Sequence, residues 1–141
     1  MSVALIKKRL FEETLNELNV DFFEVIEDEE RFIFSANHYI KNGRASLNLF
    51  LDNSVNSTNY IHFASLEKKK KKEKVLRLFN ELNYNYKAIT FYLNEENVLM
   101  AKTNYITNET DFDGNMYWNI FIEMFRTVEE EYPKIMRVVW S

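Results

Sequence analysis

The sequence predicts an α+β fold, an antiparallel sheet of five to six strands with three helices, in the order α-β-β-β-(β)-α-β-β-α. Two periodicities predict it. Apolar residues recur at helical spacing near the start, between Val75 and Leu82, and from Tyr117 to Val139. Elsewhere they alternate with polar residues, most plainly from Ala45 to Leu51, and two strand-like runs flank the four-residue turn Asn94-Glu95-Glu96-Asn97.

From Val3 to Leu18, Val3, Ile6, Leu10, Phe11, Leu15 and Leu18 fall on one side of a helical wheel, with Arg9, Glu12, Glu13 and Asn16 opposite. Lys7 and Thr14 are the two positions that break this pattern. Phe22 to Ile26 and Arg31 to Ile40 read as strands across the acidic break Asp28-Glu29-Glu30. Lys41-Asn42-Gly43 turns the chain into Ala45 to Leu51, where Ala45, Leu47, Leu49 and Leu51 alternate with Ser46, Asn48 and Asp52, and Phe50 sits on the polar side. After a loop from Asp52 to Asn59, Tyr60 to Ser65 reads as a weaker fourth strand.

The second helix begins within a lysine run and buries Val75, Leu78, Phe79 and Leu82. Asn83 and Asn85 follow, and asparagine's tolerance of the left-handed conformation makes them the expected helix stop. Ala88 to Leu93 and Val98 to Ile106 form a hairpin around Asn94 to Asn97. The third helix starts near Asp111 or Asp113, whose carboxylates suit free N–H groups and the positive end of the helix dipole. Its face of Tyr117, Phe121, Met124, Phe125, Val128 and Tyr132 continues past Pro133 through Ile135, Met136 and Val139, so a kinked helix reaching Trp140 is expected.

The composition bounds what such a fold can be. At 141 residues, 46% hydrophobic and 28% charged, residues 1–141 make one globular domain with a core of its own. Cysteine is absent, which removes disulfides, thiolate nucleophiles and cysteine-ligated metals. The segment MSVALIKKRLFEETLNELN matches neither a signal peptide nor a membrane span, so a cytoplasmic location is expected. A net charge of −4 argues against a dedicated nucleic-acid binder.

Phe79-Asn80-Glu81-Leu82-Asn83, a strand ending in Tyr92-Leu93, a polar turn, Val98-Leu99 and a long last helix containing Tyr132-Pro133 together resemble the YbjN family, described as bacterial sensory transduction regulators. The resemblance spans about residues 76–136 in its specific part. It implies a type III secretion chaperone-like fold, and with it homodimerisation and capture of an extended polypeptide. The chain departs from the family in having Asn94 to Asn97 where a turn glycine is common, and in its lysine run.

Lys68, Lys69, Lys70, Lys71 and Lys72, with Lys74 and Arg77, are the densest charge in the chain and candidates for polyanion contact. Cations at a helix N-terminus oppose its dipole, so the run sits where it costs a few tenths of a kcal/mol per charge. His38 and His62 lie on separate strands without a ligand motif. Glu109-Thr110-Asp111-Phe112-Asp113-Gly114 starts like a calcium loop, but Ile120 stands where the bidentate glutamate belongs. No nucleophile with its base is recognisable, and no catalytic residue, metal or cofactor is assigned.

Aromatic residues make up 16% of the chain. Most belong in the core, yet a sheet covered by helices on one side leaves its second face for solvent or a partner. Tyr39, Phe50, Tyr92 and Trp118 are the candidates for a partner or dimer surface. The reading is a non-enzymatic protein-interaction module, chaperone-like or a regulatory adaptor, with a polypeptide partner. The alternative is a regulator whose basic segment 68–77 contacts nucleic acid or anionic membrane, and the third reading is a small hydrolase or metal-binding protein.

Overall fold

Period-two alternation decides the architecture, because it sends one apolar row from each strand to the same side. The computed structural model describes residues 2–40, 43–108 and 110–141. The elements are α1 (Val3–Glu17), β1 (Glu24–Asp28), β2 (Arg31–Ile40), β3 (Gly43–Leu51), β4 (Asn56–Ser65), a 3-10 turn at Lys69–Lys71, α2 (Lys72–Asn85), β5 (Thr90–Leu93), β6 (Val98–Ile106) and α3 (Gly114–Trp140). The strands form one six-stranded antiparallel sheet in the order β1-β2-β3-β4-β6-β5. Strands β1 to β4 are a meander; α2 then carries the chain to the far edge, and β6 returns between β5 and β4. Of the turn expected at Lys41-Asn42-Gly43, Lys41 and Asn42 lie outside the described residues.

Register makes the sidedness explicit. Leu47 pairs with Ile61, Ile61 with Ala101, and Ala101 with Phe91, an unbroken apolar row across four strands. All four side chains are buried. The helices lie on this side: Phe11 of α1 meets Phe34 edge-on at 5.0 Å and Tyr117 of α3 at 4.9 Å, and Phe79 of α2 lies 5.7 Å from Phe91. Tyr117 is fully buried, and its hydroxyl donates to the Phe50 carbonyl at 3.1 Å, which satisfies the one polar atom that this ring brings into the core.

The two irregular positions of α1 are both buried. Lys7 runs its stem through the core and its Nζ donates to the Ser54 carbonyl at 2.7 Å and to the Asn56 carbonyl at 3.3 Å, tying α1 to the β3–β4 loop. Thr14 lies where α1 meets the start of α3, and its hydroxyl donates to the Leu10 carbonyl. A Cβ on Gly114 would come 2.8 Å from that same carbonyl oxygen, so glycine at this position is what lets the two helices approach. Asp113 caps α3 by accepting from the Asn115 and Met116 N–H groups. The helix runs unbroken through Pro133 to Trp140.

Two expectations need correcting. The fourth strand is not weak: β4 starts at Asn56 and pairs on both sides. Its first half points Ser57 and Asn59 into the core, and these side chains, with Thr103 and Thr107, have no hydrogen-bond partner among the described residues. A polar inward row erases the alternation that marks a strand. Second, Asn83 and Asn85 are not a helix stop. α2 continues through Asn85 to an extended Tyr86, and among the described residues the non-glycine positions at positive φ are Asn19, Glu29, Glu30 and Asn97, so neither Asn83 nor Asn85 takes the left-handed conformation.

Asn83 instead clamps the sheet edge. Its Oδ1 accepts from the Phe91 N–H at 2.7 Å and its Nδ2 donates to the Phe91 carbonyl at 3.0 Å, so one amide side chain does for β5 what one residue of a seventh strand would do. Asn94 behaves as expected of a turn residue: its Oδ1 accepts from the Glu96 and Val98 N–H groups. Because Phe91 is buried, losing the clamp orphans two backbone groups away from water. Asn83→Leu, which keeps the branched shape and suits the helix, is expected to lower the unfolding free energy by roughly 2–3 kcal/mol, read from the shift in urea midpoint.

Candidate functional site

The face away from the helices carries the odd-numbered residues of β2 and the even-numbered ones of β3 and β6. Phe50, Tyr60, Tyr92 and Met100 line a shallow groove there of about 380 Å³, with Arg31 and Asp52 at its rim. Phe50 and Tyr60 meet edge-on at 5.3 Å. Arg31 lies 5.3 Å over the Phe50 ring while it pairs with Asp28 at 2.8 Å, and Lys102 lies 5.2 Å over Tyr92. Burial, and then the neighbouring Tyr60, raise the Tyr92 phenol above its ordinary pKa.

Only part of the sequence-predicted set comes together here. Phe50 and Tyr92 share the groove. Tyr39 is on the same face and 77% exposed, but it pairs with Arg44, six residues along β2 from the Ile33 that faces Phe50, or about 20 Å. Trp118 is on the other side of the sheet, packed against Phe11, Phe23 and Phe121. Tyr60 and Met100 complete the groove, and the alternation of β4 and β6 is the signal that places them.

The edges of the sheet differ from one another. On β1, Glu24, Glu27 and Asp28 put charge along the strand, a usual guard against further pairing. On β5, Asn83 occupies the outward groups of Phe91. β6 outruns β5: pairing between them stops at Thr90 with Lys102, and Thr103 to Ile106 pair only with β4. Because the Thr107 N–H donates toward β4, to the Val55 carbonyl at 3.0 Å, alternation turns the backbone groups of Asn104 and Ile106 to the unpaired side. A cleft of about 440 Å³ opens there, bounded by Tyr60, Lys87, Thr90, Lys102, Asn104 and Ile120. Ile106, the last residue of β6, is 67% exposed, and Met116, one turn before Ile120, is 48% exposed.

The lysine run is split by the fold. Lys71 turns inward, with its Nζ 3.3 Å from the Ser141 hydroxyl, and desolvation followed by the charges of Lys74, Lys70 and Lys68 lowers its pKa. Arg77 pairs with Glu73 at 2.8 Å. Lys68, Lys69, Lys70, Lys72 and Lys74 are exposed, and no ion pair among the described residues involves them. His38 stacks on Phe22 near Phe125 on the helix side, whereas His62 pairs with Ser46 and Met100 on the open face, so the two do not meet. Among the described residues no group of three His, Asp or Glu could hold a metal ion. Glu109 of the calcium-like run lies outside them. No described helix is long and apolar enough to cross a membrane.

No family model and no curated protein sequence matches this chain. Among solved structures it is similar to a chain in the crystal structure of the ExsC–ExsE complex, with a TM-score of 0.64, 11% identity, and coverage of 93% of this chain and 94% of that one. At that identity the likeness is one of fold. The α+β class and the element order expected from the sequence are those found, and the fold is shared with that chain.

Behind the site, α2 and α3 are joined where Tyr86 donates to Glu131 Oε1 at 2.8 Å. This bond, then burial and the nearby carboxylates of Glu131 and Glu130, push the Tyr86 phenol up to about 12 from an ordinary 10. Tyr117 and Tyr132 are raised by burial. A phenol whose folded pKa exceeds its unfolded value stabilises the fold fully below pH 10, and that contribution fades as pH climbs toward the folded pKa. Stability is therefore expected to fall between pH 10 and about 12, with a shallower fall in Tyr86→Phe; denaturant melts across that window check it.

Proposed function

We propose that this protein is a non-enzymatic interaction module of the cytoplasm, chaperone-like or an adaptor in role, that captures an extended segment of a polypeptide partner. The observation that carries this reading is the unpaired edge of β6 at Thr103 to Ile106, beside a cleft of about 440 Å³. An extended peptide placed there continues the line of β5 and accepts or donates at Asn104 and Ile106. Its side chains alternate between the open face, near Lys102 and Tyr60, and the helix side, near Ile120.

The energetics suit reversible capture. Up to four backbone hydrogen bonds at about 1 kcal/mol net each, with burial of Ile106 worth about 2 kcal/mol, give about 6 kcal/mol, of which association costs about 4 or more, so the edge alone holds a segment only weakly. Contacts in the Phe50–Tyr60–Tyr92 groove, which shares Thr58 and Tyr60 with the cleft, extend the surface and tighten it. The fold likeness supports the reading, because the similar chain was solved as part of a protein complex. Membership of the YbjN family and homodimerisation belong to the same proposal and are supported by the resemblance of residues 76–136.

Ile106→Pro tests it cleanly. Proline removes an N–H that faces the free edge, not β4, so the sheet keeps its own bonds. Tagged wild-type protein is expected to retain a polypeptide from the native cell, identified by mass spectrometry, and Ile106→Pro to retain it about tenfold less, a loss of ~1.4 kcal/mol, with little change in melting temperature. Equal retention by both would overturn strand addition. Light scattering on the same samples reports whether a second copy of the chain is the occupant.

A further inference from the structure

The lysine run is not used by the strand-addition site. The Leu66 N–H donates to the Asn97 carbonyl at 2.8 Å, so this segment lies at the β5–β6 turn, whereas Ile106 ends β6 nine residues away, about 30 Å. Between residues 67 and 77 there are seven basic side chains and two acidic ones, in a chain whose net charge is −4. Lys71 anchors the segment by turning in toward Ser141, and its neighbours Lys68, Lys69, Lys70, Lys72 and Lys74 point to solvent without ion pairs among the described residues.

The same contact brings the last turn of α3 beside them. Trp140, adjacent to Ser141, is 70% exposed, and Arg137 lies one turn earlier on the same exposed stripe. Leu76, 44% exposed, sits one turn after Lys72 on the outer side of α2. Unpaired cations at the same end of the molecule as an exposed tryptophan and leucine are the combination that seats at a lipid–water interface. The lysines reach anionic headgroups, the indole settles at headgroup depth, and the aliphatic side chain enters the acyl boundary. A phosphodiester backbone would use the lysines but gives Leu76 nothing to do.

We propose that the end of the molecule formed by the start of α2 and the last turn of α3 docks reversibly on anionic lipid bilayers, through the five outward lysines with Trp140 and Leu76. The site is peripheral and electrostatic, distinct from the β6 edge, so both can be occupied at once.

The test uses the full chain with vesicles of pure phosphatidylcholine and of equal parts phosphatidylcholine and phosphatidylglycerol. At low ionic strength the protein is expected to sediment with the mixed vesicles only and to be released by added salt. Its tryptophan emission is expected to shift to the blue, and Trp140→Phe to abolish the shift. Neutralising Lys68, Lys69 and Lys70 to Gln is expected to weaken partitioning by at least about tenfold, given the contribution of each lysine near a charged surface. These side chains are exposed, and an unchanged melting curve confirms that the variant folds. No sedimentation, equal sedimentation with both vesicle types, or tighter salt-sensitive binding to single-stranded DNA than to the mixed vesicles would overturn the proposal. Retention of a polypeptide by the same triple variant separates this result from the fate of the strand-addition reading.

Discussion

Everything in this molecule depends on one constraint, that three helices cover the same face of a twisted antiparallel sheet. Because side chains alternate strictly, each strand must place its apolar row on that face, and a slip of one residue would reverse it. The row Leu47, Ile61, Ala101 and Phe91 shows the register being met across four strands. Phe11, Phe79 and Tyr117 lock the helices to it. What the constraint leaves over is as informative: an uncovered face with half-buried aromatics, two guarded edge strands, β1 and β5, and the stretch of β6 beyond β5 left unpaired.

The helices and the last hairpin were legible in the sequence because their signals come from side chains alone. The buried face of α2, Val75, Leu78, Phe79 and Leu82, and the bounds of β6 follow directly from periodicity. The first half of β4 was not legible, since Ser57 and Asn59 point inward where a strand pattern demands apolar residues. Lys7 looked like a flaw in α1, but its amine serves the carbonyls of Ser54 and Asn56, residues nearly fifty positions away that no local pattern connects. Asn83 was read as a turn former for its backbone preferences, while its actual part is played by the side-chain amide against Phe91.

The candidate site was legible only in outline. That one sheet face lies open follows from the element order, and Phe50 and Tyr92, two of the residues expected to offer a partner surface, lie on it. Trp118 was grouped with them, but it belongs to the cluster of Phe11, Phe23 and Phe121 beneath the helices, because helical position 118 turns toward α1 and not away from it. The free edge of β6 had no sequence signal. It arises because β5 has four residues and β6 nine, a mismatch that becomes visible only once the two are paired.

Residue-resolved amide exchange on the isolated protein tests the free edge most directly. The account predicts that Thr103 and Tyr105, whose N–H groups turn toward β4, exchange slowly, while Asn104 and Ile106 between and beyond them exchange at rates close to those of exposed amides. Slow exchange at all four positions in a monomeric sample would mean that the edge is already closed, and would contradict the account.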